Sequence, residues 1–492
     1  MPRVLPGVTA PGRPAALAAV LAVLLAATPA AAAPSGSGAP PTSSGPATPL
    51  PAVHLPLPGA TVPQAAVDVL PPLSGLAPLP TAAGVTAVLD RLLAGTALGA
   101  SVSVDVMDVT TGTELLSRGP TRAVVPASAA KLLTGAAALT ALGPQASLPT
   151  RAVQGATPGE IVLVGGGDVM LAPGAGDRDA VMGHAGLADL ADRTAAALRG
   201  QGRGQGSSPG SSPVTLRLDD TLFTGPAVNP AWPGDVGGGF VAPVMPLEVT
   251  VGVTRPGTPP RPGQPAARLA DPALSAARQF ATLLQVRGVA VTGTVTRAAA
   301  PPGAAVLGEV RSASIADIVE HDLTDSDNTT AEALARLVAV TGKRPATFAG
   351  GGEAVLQRVA ALGVPITGAR LSGGSGLDPH TVVGVRTIVR VLALAADRTR
   401  PQLRSLLTGL PVAGASGTLV DRFAGTALAP GVGVVRAKTG TLTGVSALAG
   451  TVVDAEGRQL AFAVVADAVP ATEPARVALD AVAVALAGCG CR

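Results

Sequence analysis

From Ala83 onward the chain moves between two hydrophobic rhythms. Val85, Val88, Leu89, Leu92 and Leu93 recur at three- and four-residue spacing, which predicts a helix with one apolar face. Val102, Val104 and Val106 alternate with smaller or polar residues and predict a half-buried strand, with a turn at Thr110-Thr111-Gly112-Thr113 leading to a second. The Ala/Leu-rich run after Pro126 predicts a buried helix ending at Gly143. Between Pro144 and Pro302 the rhythm breaks up: Gly and Pro are frequent, short alternating segments such as Val214 to Leu218 stand alone, and a polar tract runs from Gly200 to Ser212. This region reads as one or two inserted, mainly β, domains. Helical spacing returns over Thr330 to Val340 through Leu334, Leu337 and Val338, with Gly342 as C-cap. Ala447 to Val453 and Gln459 to Ala466 flank Asp454-Ala455-Glu456-Gly457 and predict paired antiparallel strands, and Val477 to Leu486 a closing helix. The fold class is therefore α/β: helices around an antiparallel sheet form an α/β/α layered domain from residues 81–143 and 303–492, interrupted by the insertion 144–302.

The N-terminus adds a second kind of pattern. Arg3 and Arg13 precede an apolar run from Ala15 to Ala27, followed by Pro29 and the small residues Ala30 to Ala33. A positive n-region, a short h-region and an Ala-x-Ala site predict a secretory signal peptide over 1–33 and hence export. The run is too short for a comfortable transmembrane span, so membrane contact is expected only if it stays uncleaved as an anchor. Residues 34–80 are rich in Pro, Ala, Ser, Gly and Thr, cannot bury enough surface to offset their ordering entropy, and read as a linker. Composition then excludes partners. One Trp, six Phe and no Tyr leave little for base stacking or aromatic anchoring, and a net charge of +3 from scattered Arg does not indicate nucleic acid. The only cysteines, Cys489 and Cys491, either close a tight i,i+2 disulfide or remain free thiols. Neither they nor His54, His184, His321 and His380 have metal-ligand spacing, so no metal or other cofactor is expected.

Lysine is scarce, with Lys131, Lys343 and Lys438 the three among 35 basic residues, and Asn occurs only at 229 and 328. Lysine differs from arginine in that its pKa can fall far enough for it to act as a base. Ser128-Ala129-Ala130-Lys131 opens the Ala/Leu helix, and i,i+3 spacing puts hydroxyl and amine on one helix face. The amine can take the serine proton, and the helix N-terminus favours negative charge developing beside Ser128. Ser326-Asp327-Asn328 precedes the next helix, where a hydroxyl can relay a proton and an amide can hold a substrate amide. Lys438-Thr439-Gly440-Thr441 lies at a strand, where a cation beside two hydroxyls can bind a carboxylate and Gly440 can let a substrate backbone approach. Each alone is equally a helix cap, a capping turn or a strand end.

The order Ser-x-x-Lys, Ser-x-Asn, Lys-Thr-Gly is the signature of serine β-lactamases and penicillin-binding proteins. The chain resembles the family of D-Ala-D-Ala carboxypeptidases/endopeptidases, the peptidase S13 or low-molecular-mass class C penicillin-binding proteins. Ser326 follows Ser128 by 198 positions, which leaves room for that family's inserted domains. Gly165-Gly166-Gly167-Asp168, Trp232, Ala242-Pro243, Gly374-Ser375-Gly376-Leu377, Leu410-Pro411-Val412-Ala413-Gly414 and Gly417-Thr418-Leu419 carry the resemblance further, over roughly Ala83 to Arg492. It implies a penicillin-recognising, transpeptidase/β-lactamase-like fold with Ser128 as nucleophile, Lys131 as general base and Ser326 as relay to the leaving amine. Asn328 would orient the peptide, and Lys438, Thr439, Gly440 and Thr441 would bind the terminal carboxylate. The backbone N–H groups of Ser128 and Thr441 would form the oxyanion hole. Implied substrates are peptidoglycan peptides ending in D-Ala-D-Ala, with β-lactams as inhibitors, no cofactor, and a place at the cell wall. Departures from the family pattern are Gly373 for Asp, Ser416 for Asp, Val169 for Pro and Phe240 for Tyr. The other readings of the motif set are a serine β-lactamase, against which the long insertion argues, and a non-catalytic penicillin-binding or sensor protein.

Overall fold

A computed structural model describes residues 77–201, 213–232 and 234–492. The expected signal peptide, most of the linker and nearly all of the polar tract lie outside the described residues.

The first sheet is antiparallel throughout, with strand order β10-β11-β12-β1-β2. Its strands are β1 (Val102–Asp108), β2 (Glu114–Arg118), β10 (Arg436–Leu442), β11 (Val445–Val453) and β12 (Gln459–Ala466). β11 and β12 are mostly apolar and buried along almost their whole length because both faces of the sheet are covered. Leu460, Phe462 and Val464 alternate with Ala461, Ala463 and Val465, and the two sets belong to different cores. The first set meets α1 (Ala82–Leu93) and α10 (Thr472–Ala487) through Val85, Leu89, Leu479 and Val482. The second meets α8 (Val385–Ala396) through Val385, Ile388, Val389 and Leu392. The result is the expected α/β/α layering.

Behind that second core lies α2 (Lys131–Leu142), whose residues from Lys131 to Leu139 are all buried. Three further helices touch it: α5 (Ile315–Asp325), α6 (Asn328–Thr341) and α7 (Phe348–Ala361). Small residues let these backbones approach. A Cβ on Gly135 would sit 2.9 Å from a Leu406 methyl and 3.0 Å from a Val319 methyl.

The chain leaves this domain after Gly143 to build a second sheet of order β8-β6-β4-β3-β9. It consists of β3 (Ser147–Gln154), β4 (Glu160–Val164), β6 (Thr215–Asp219), β8 (Thr296–Arg297) and β9 (Val306–Ser314), covered by α3 (Leu187–Gly200) and α4 (Pro272–Val286) around Leu190, Leu198, Phe280 and Leu284. A short parallel pair, β5 (Asp168–Leu171) and β7 (Leu247–Val249), sits beside it. β9 pairs antiparallel with β3 and runs directly into α5, so the sheet ends within one helix of Ser326.

Cys489 and Cys491 form a disulfide. The Cys491 carbonyl accepts from Thr81 N–H at 2.7 Å, which ties the C-terminal tail to the N-cap of α1.

Candidate active site

Ser128 sits in a tight turn, Ala127–Ala130, that feeds α2. Ala127 holds φ 48°, and the turn is wedged between two glycines. A Cβ on Gly376 would lie 2.0 Å from the Ala127 carbonyl oxygen, and one on Gly440 would lie 2.6 Å from that of Pro126. The absent side chain of Gly440 therefore seats the Ser128 turn against β10.

Lys131 is fully buried beneath Ser128, and its Nζ meets three acceptors: Ser128 Oγ at 2.9 Å, Asn328 Oδ1 at 2.7 Å and the Ser375 carbonyl at 3.1 Å. Three partners saturate an ammonium, which has three donors. When the amine is neutral, two N–H groups still serve Asn328 and Ser375, and the lone pair faces Ser128. Burial pulls the Lys131 pKa below that of a free lysine, while the carboxylates of Asp322, Asp327 and Glu332 pull it back up.

α5 and α6 meet at the turn that carries the second motif. Ser326 caps α5 in the left-handed region (φ 59°), and Asp327 caps α6 by accepting from Thr330 N–H at 2.7 Å. Asn328 is more tied down than expected. Its Oδ1 serves Lys131, and its Nδ2 donates to the Phe240 carbonyl at 2.9 Å. One of its two N–H groups is thus spent on holding the inserted region against the site.

The third motif lies on β10, the edge strand, with Lys438 opposite Ala449, Gly440 opposite Ala447 and Thr441 opposite Ser446. Ala437 N–H is paired with the Pro411 carbonyl, whereas the outer edge beyond it borders the cavity. Lys438 is fully buried and donates to the Thr439 carbonyl at 3.2 Å. Burial and the Lys131 charge push its pKa well below the usual lysine range, against the pull of Asp322 and Asp325.

Ser128, Ser326, Asn328, Thr439 and Thr441 line one cavity of about 750 Å³, with both lysines beneath its floor. The geometry thus brings the three motifs to one place: a nucleophile on a buried amine, hydroxyls opposite, and an exposed strand edge. Among the described residues no group of three or more His, Cys, Asp or Glu side chains is placed to hold a metal ion.

Residue-level reading missed several contributors. Thr418 Oγ1 lies 2.8 Å from Thr439 Oγ1 and lines the cavity, although its Gly-Thr-Leu segment had no assigned role. Ser416 accepts from Val412 N–H at 3.0 Å and so holds that segment in place of a carboxylate. Ser375 works through its carbonyl, which no side-chain pattern reveals. Asp322 is fully buried and neither of its oxygens has a hydrogen-bond partner. Burial raises its pKa to about 8, against the pull of Lys131, and Lys438 acts in the same direction as Lys131. An acidic residue one helical turn before Ser326 was the available signal.

Comparison with known proteins agrees in family and in fold. A model of the D-Ala-D-Ala carboxypeptidase 3 (S13) family matches residues 85–268 and 261–487. The chain is 36% identical over 439 residues to Carboxypeptidase DacB of Mycolicibacterium smegmatis, covering 88% of this chain and 90% of that one. It is 31% identical over 477 residues to the D-alanyl-D-alanine carboxypeptidase of Actinomadura sp., covering 81% and 84%. The crystal structure of penicillin binding protein 4 (dacB) from Haemophilus influenzae superposes with a TM-score of 0.64 at 22% identity, covering 81% of this chain and 97% of that one.

Proposed function

The chain belongs to the D-Ala-D-Ala carboxypeptidase 3 (S13) family, and from that premise we propose how its residues carry out the hydrolysis. It is a serine-type D-Ala-D-Ala carboxypeptidase, a penicillin-binding protein that acts on peptidoglycan peptides and binds β-lactams. The observation that carries the residue assignment is the buried Lys131 amine, 2.9 Å from Ser128 Oγ and held from two other sides.

Neutral Lys131 takes the Ser128 proton as Oγ attacks the carbonyl carbon of the penultimate D-Ala. The oxyanion is received by the N–H groups of Ser128 and Thr441, the latter on the β10 edge. The proton taken by Lys131 passes through the Ser326 hydroxyl, across the cavity, to the departing D-Ala amine as its bond to the carbonyl carbon breaks, the acyl ester forms on Ser128, and water then cleaves it. The terminal carboxylate lies along Thr439 and Thr441, with Thr418 supporting Thr439 and Lys438 supplying charge from below. Burial, and any charge on Lys131, work against the Lys438 charge, and an entering carboxylate favours it. Asn328 offers its remaining N–H to the peptide.

Export through residues 1–33 and attachment at the wall through the Pro/Ala-rich linker belong to the same reading, supported by the signal-like N-terminus and by a substrate that lies outside the cytoplasmic membrane. N-terminal sequencing of the secreted protein should begin near residue 34, and an intact Met1 start on exported material would contradict cleavage. The catalytic assignment is tested by release of D-alanine from a peptide ending in D-Ala-D-Ala. Ser128→Ala should abolish turnover to background, with the fold intact by circular dichroism. Turnover within tenfold of wild type would remove Ser128 from the mechanism.

A further inference from the structure

Asn328, Glu332 and Arg336 stand four residues apart on α6 and share one of its faces. Asn328 holds Lys131. Arg336 anchors the other end, donating Nη2 to the Pro226 carbonyl at 2.8 Å with its guanidinium 4.0 Å from the Phe348 ring centre. Between them Glu332 is buried. Its Oε2 accepts from Gly374 N–H at 2.8 Å, and its Oε1 from Ser375 N–H at 2.9 Å and Ser375 Oγ–H at 2.5 Å. The loop it grips is fixed from the far side as well: the Gly374 carbonyl accepts from Thr134 Oγ1 at 2.6 Å, and Ser375 Oγ accepts from Leu377 N–H at 3.1 Å. The Ser375 carbonyl then accepts from Lys131 Nζ.

We propose that Glu332 is a positioning residue, whose carboxylate clamps Gly374-Ser375 so that the Ser375 carbonyl and the Asn328 oxygen together fix the Lys131 amine against Ser128. This rests on the reading of Ser128 and Lys131 as nucleophile and base. Three donors on two oxygens call for an acceptor-only group, the ionised carboxylate. A buried charge is costly unless its hydrogen bonds are made, and here they are all made to the loop that holds the base. A lysine side chain has four rotatable bonds, so the amine stays in line only if its acceptors do not move. Glutamine cannot replace Glu332, because its NH₂ would face a backbone N–H, donor against donor.

The test compares wild type, Glu332→Gln, Glu332→Asp and Ser375→Ala in acylation by a fluorescent penicillin, with the acylation rate constant separated from non-covalent affinity across pH. Glu332→Gln should slow acylation by about 10- to 100-fold with affinity changed less than threefold, as expected for a misplaced catalytic group. Glu332→Asp, still an acceptor but one carbon shorter, should fall between. Loss of the Glu332 charge should also move the acid limb to lower pH, because that carboxylate raises the Lys131 pKa; Asp322 of α5, Asp327 at the head of α6 and Lys438 of β10 are the other titratable groups around Lys131. A crystal structure of Glu332→Gln should show Nζ parted from the Ser375 carbonyl. Acylation within twofold of wild type with an unmoved limb, or an unchanged Lys131 in that structure, would overturn the proposal. Should Glu332→Gln fail to fold, Ser375→Ala, which removes one donor and keeps the backbone, decides it: a several-fold loss supports the clamp and a wild-type rate overturns it. If wild type itself is not acylated, the functional reading fails, while the structure of the variant still judges the clamp.

Discussion

Lys131 must be neutral to take a proton and yet must be held by groups that favour its charge. Burial resolves the conflict in one direction and the surrounding carboxylates limit how far it goes. Lys131→Arg should therefore behave as a loss, since a guanidinium does not deprotonate; kcat/KM for D-alanine release should fall by about 10²- to 10⁴-fold, close to Lys131→Ala. Activity should rise with pH as Lys131 loses its proton. Where Asp322 is ionised it raises the Lys131 pKa, so Asp322→Asn should shift the acid limb of the kcat/KM profile to lower pH. A limb that stays in place would show that Asp322 is electrostatically silent. The three motifs were legible at this scale because scarcity marked them: few lysines and asparagines occur, and Lys131, Lys438 and Asn328 meet at one cavity floor. Glu332, Asp322 and the Ser375 carbonyl were not legible, because what they do depends on which helix face is buried and on a backbone oxygen.

At the scale of elements, periodicity recovered what is long or uniformly patterned: α1, β1, α2, α6, β11, β12 and α10 all lie where the hydrophobic spacing put them. α7 escaped because Gly350, Gly351 and Gly352 look like a loop in sequence. Their reason is contact, since a Cβ at 350 would meet the Pro345 carbonyl at 2.1 Å and one at 352 that of Leu371 at 2.1 Å. The inserted sheet escaped in detail because its strands are short and interrupted by Gly and Pro. Two predictions belong here. Gly440→Ala should push β10 from the Ser128 turn and slow acylation by about tenfold or more, with little change in melting temperature. Asp168, at the start of β5, is fully buried, and burial raises its pKa to about 7 although it accepts from Met170 N–H. A carboxyl group with a raised folded-state pKa contributes stability at low pH that is lost as pH climbs toward that value. Asp168→Asn keeps the acceptor without the charge. It should leave stability unchanged near pH 4 and raise it at pH 8, by at most about 4 kcal/mol, in urea unfolding at the two pH values. Equal curves for both proteins at pH 8 would contradict this.

Over the whole molecule, the two ends of the described chain are fastened to the first sheet. Arg458 on the β11–β12 turn donates Nη2 to Asp108 Oδ1 at 2.9 Å and Nη1 to the Ala77 carbonyl at 3.1 Å, while the Cys491 carbonyl holds Thr81. Arg458→Leu should cost about 1.5–3 kcal/mol in unfolding, because Asp108 loses its charged partner and keeps only the hydrogen bonds from Thr111 N–H and Oγ–H. Reducing the Cys489–Cys491 disulfide should change stability far less, since it closes a very short loop. The insertion reaches the site through Phe240, whose carbonyl accepts from Asn328 Nδ2 at 2.9 Å. Acylation of Ser128 with the help of Lys131 can be read from the intact mass of the protein after incubation with benzylpenicillin, alongside Ser128→Ala and Lys131→Ala. Wild type should gain a stoichiometric adduct of the drug's mass, Ser128→Ala none, and Lys131→Ala a strongly delayed one. An adduct of equal yield and rate on Ser128→Ala, or none on wild type, would contradict it.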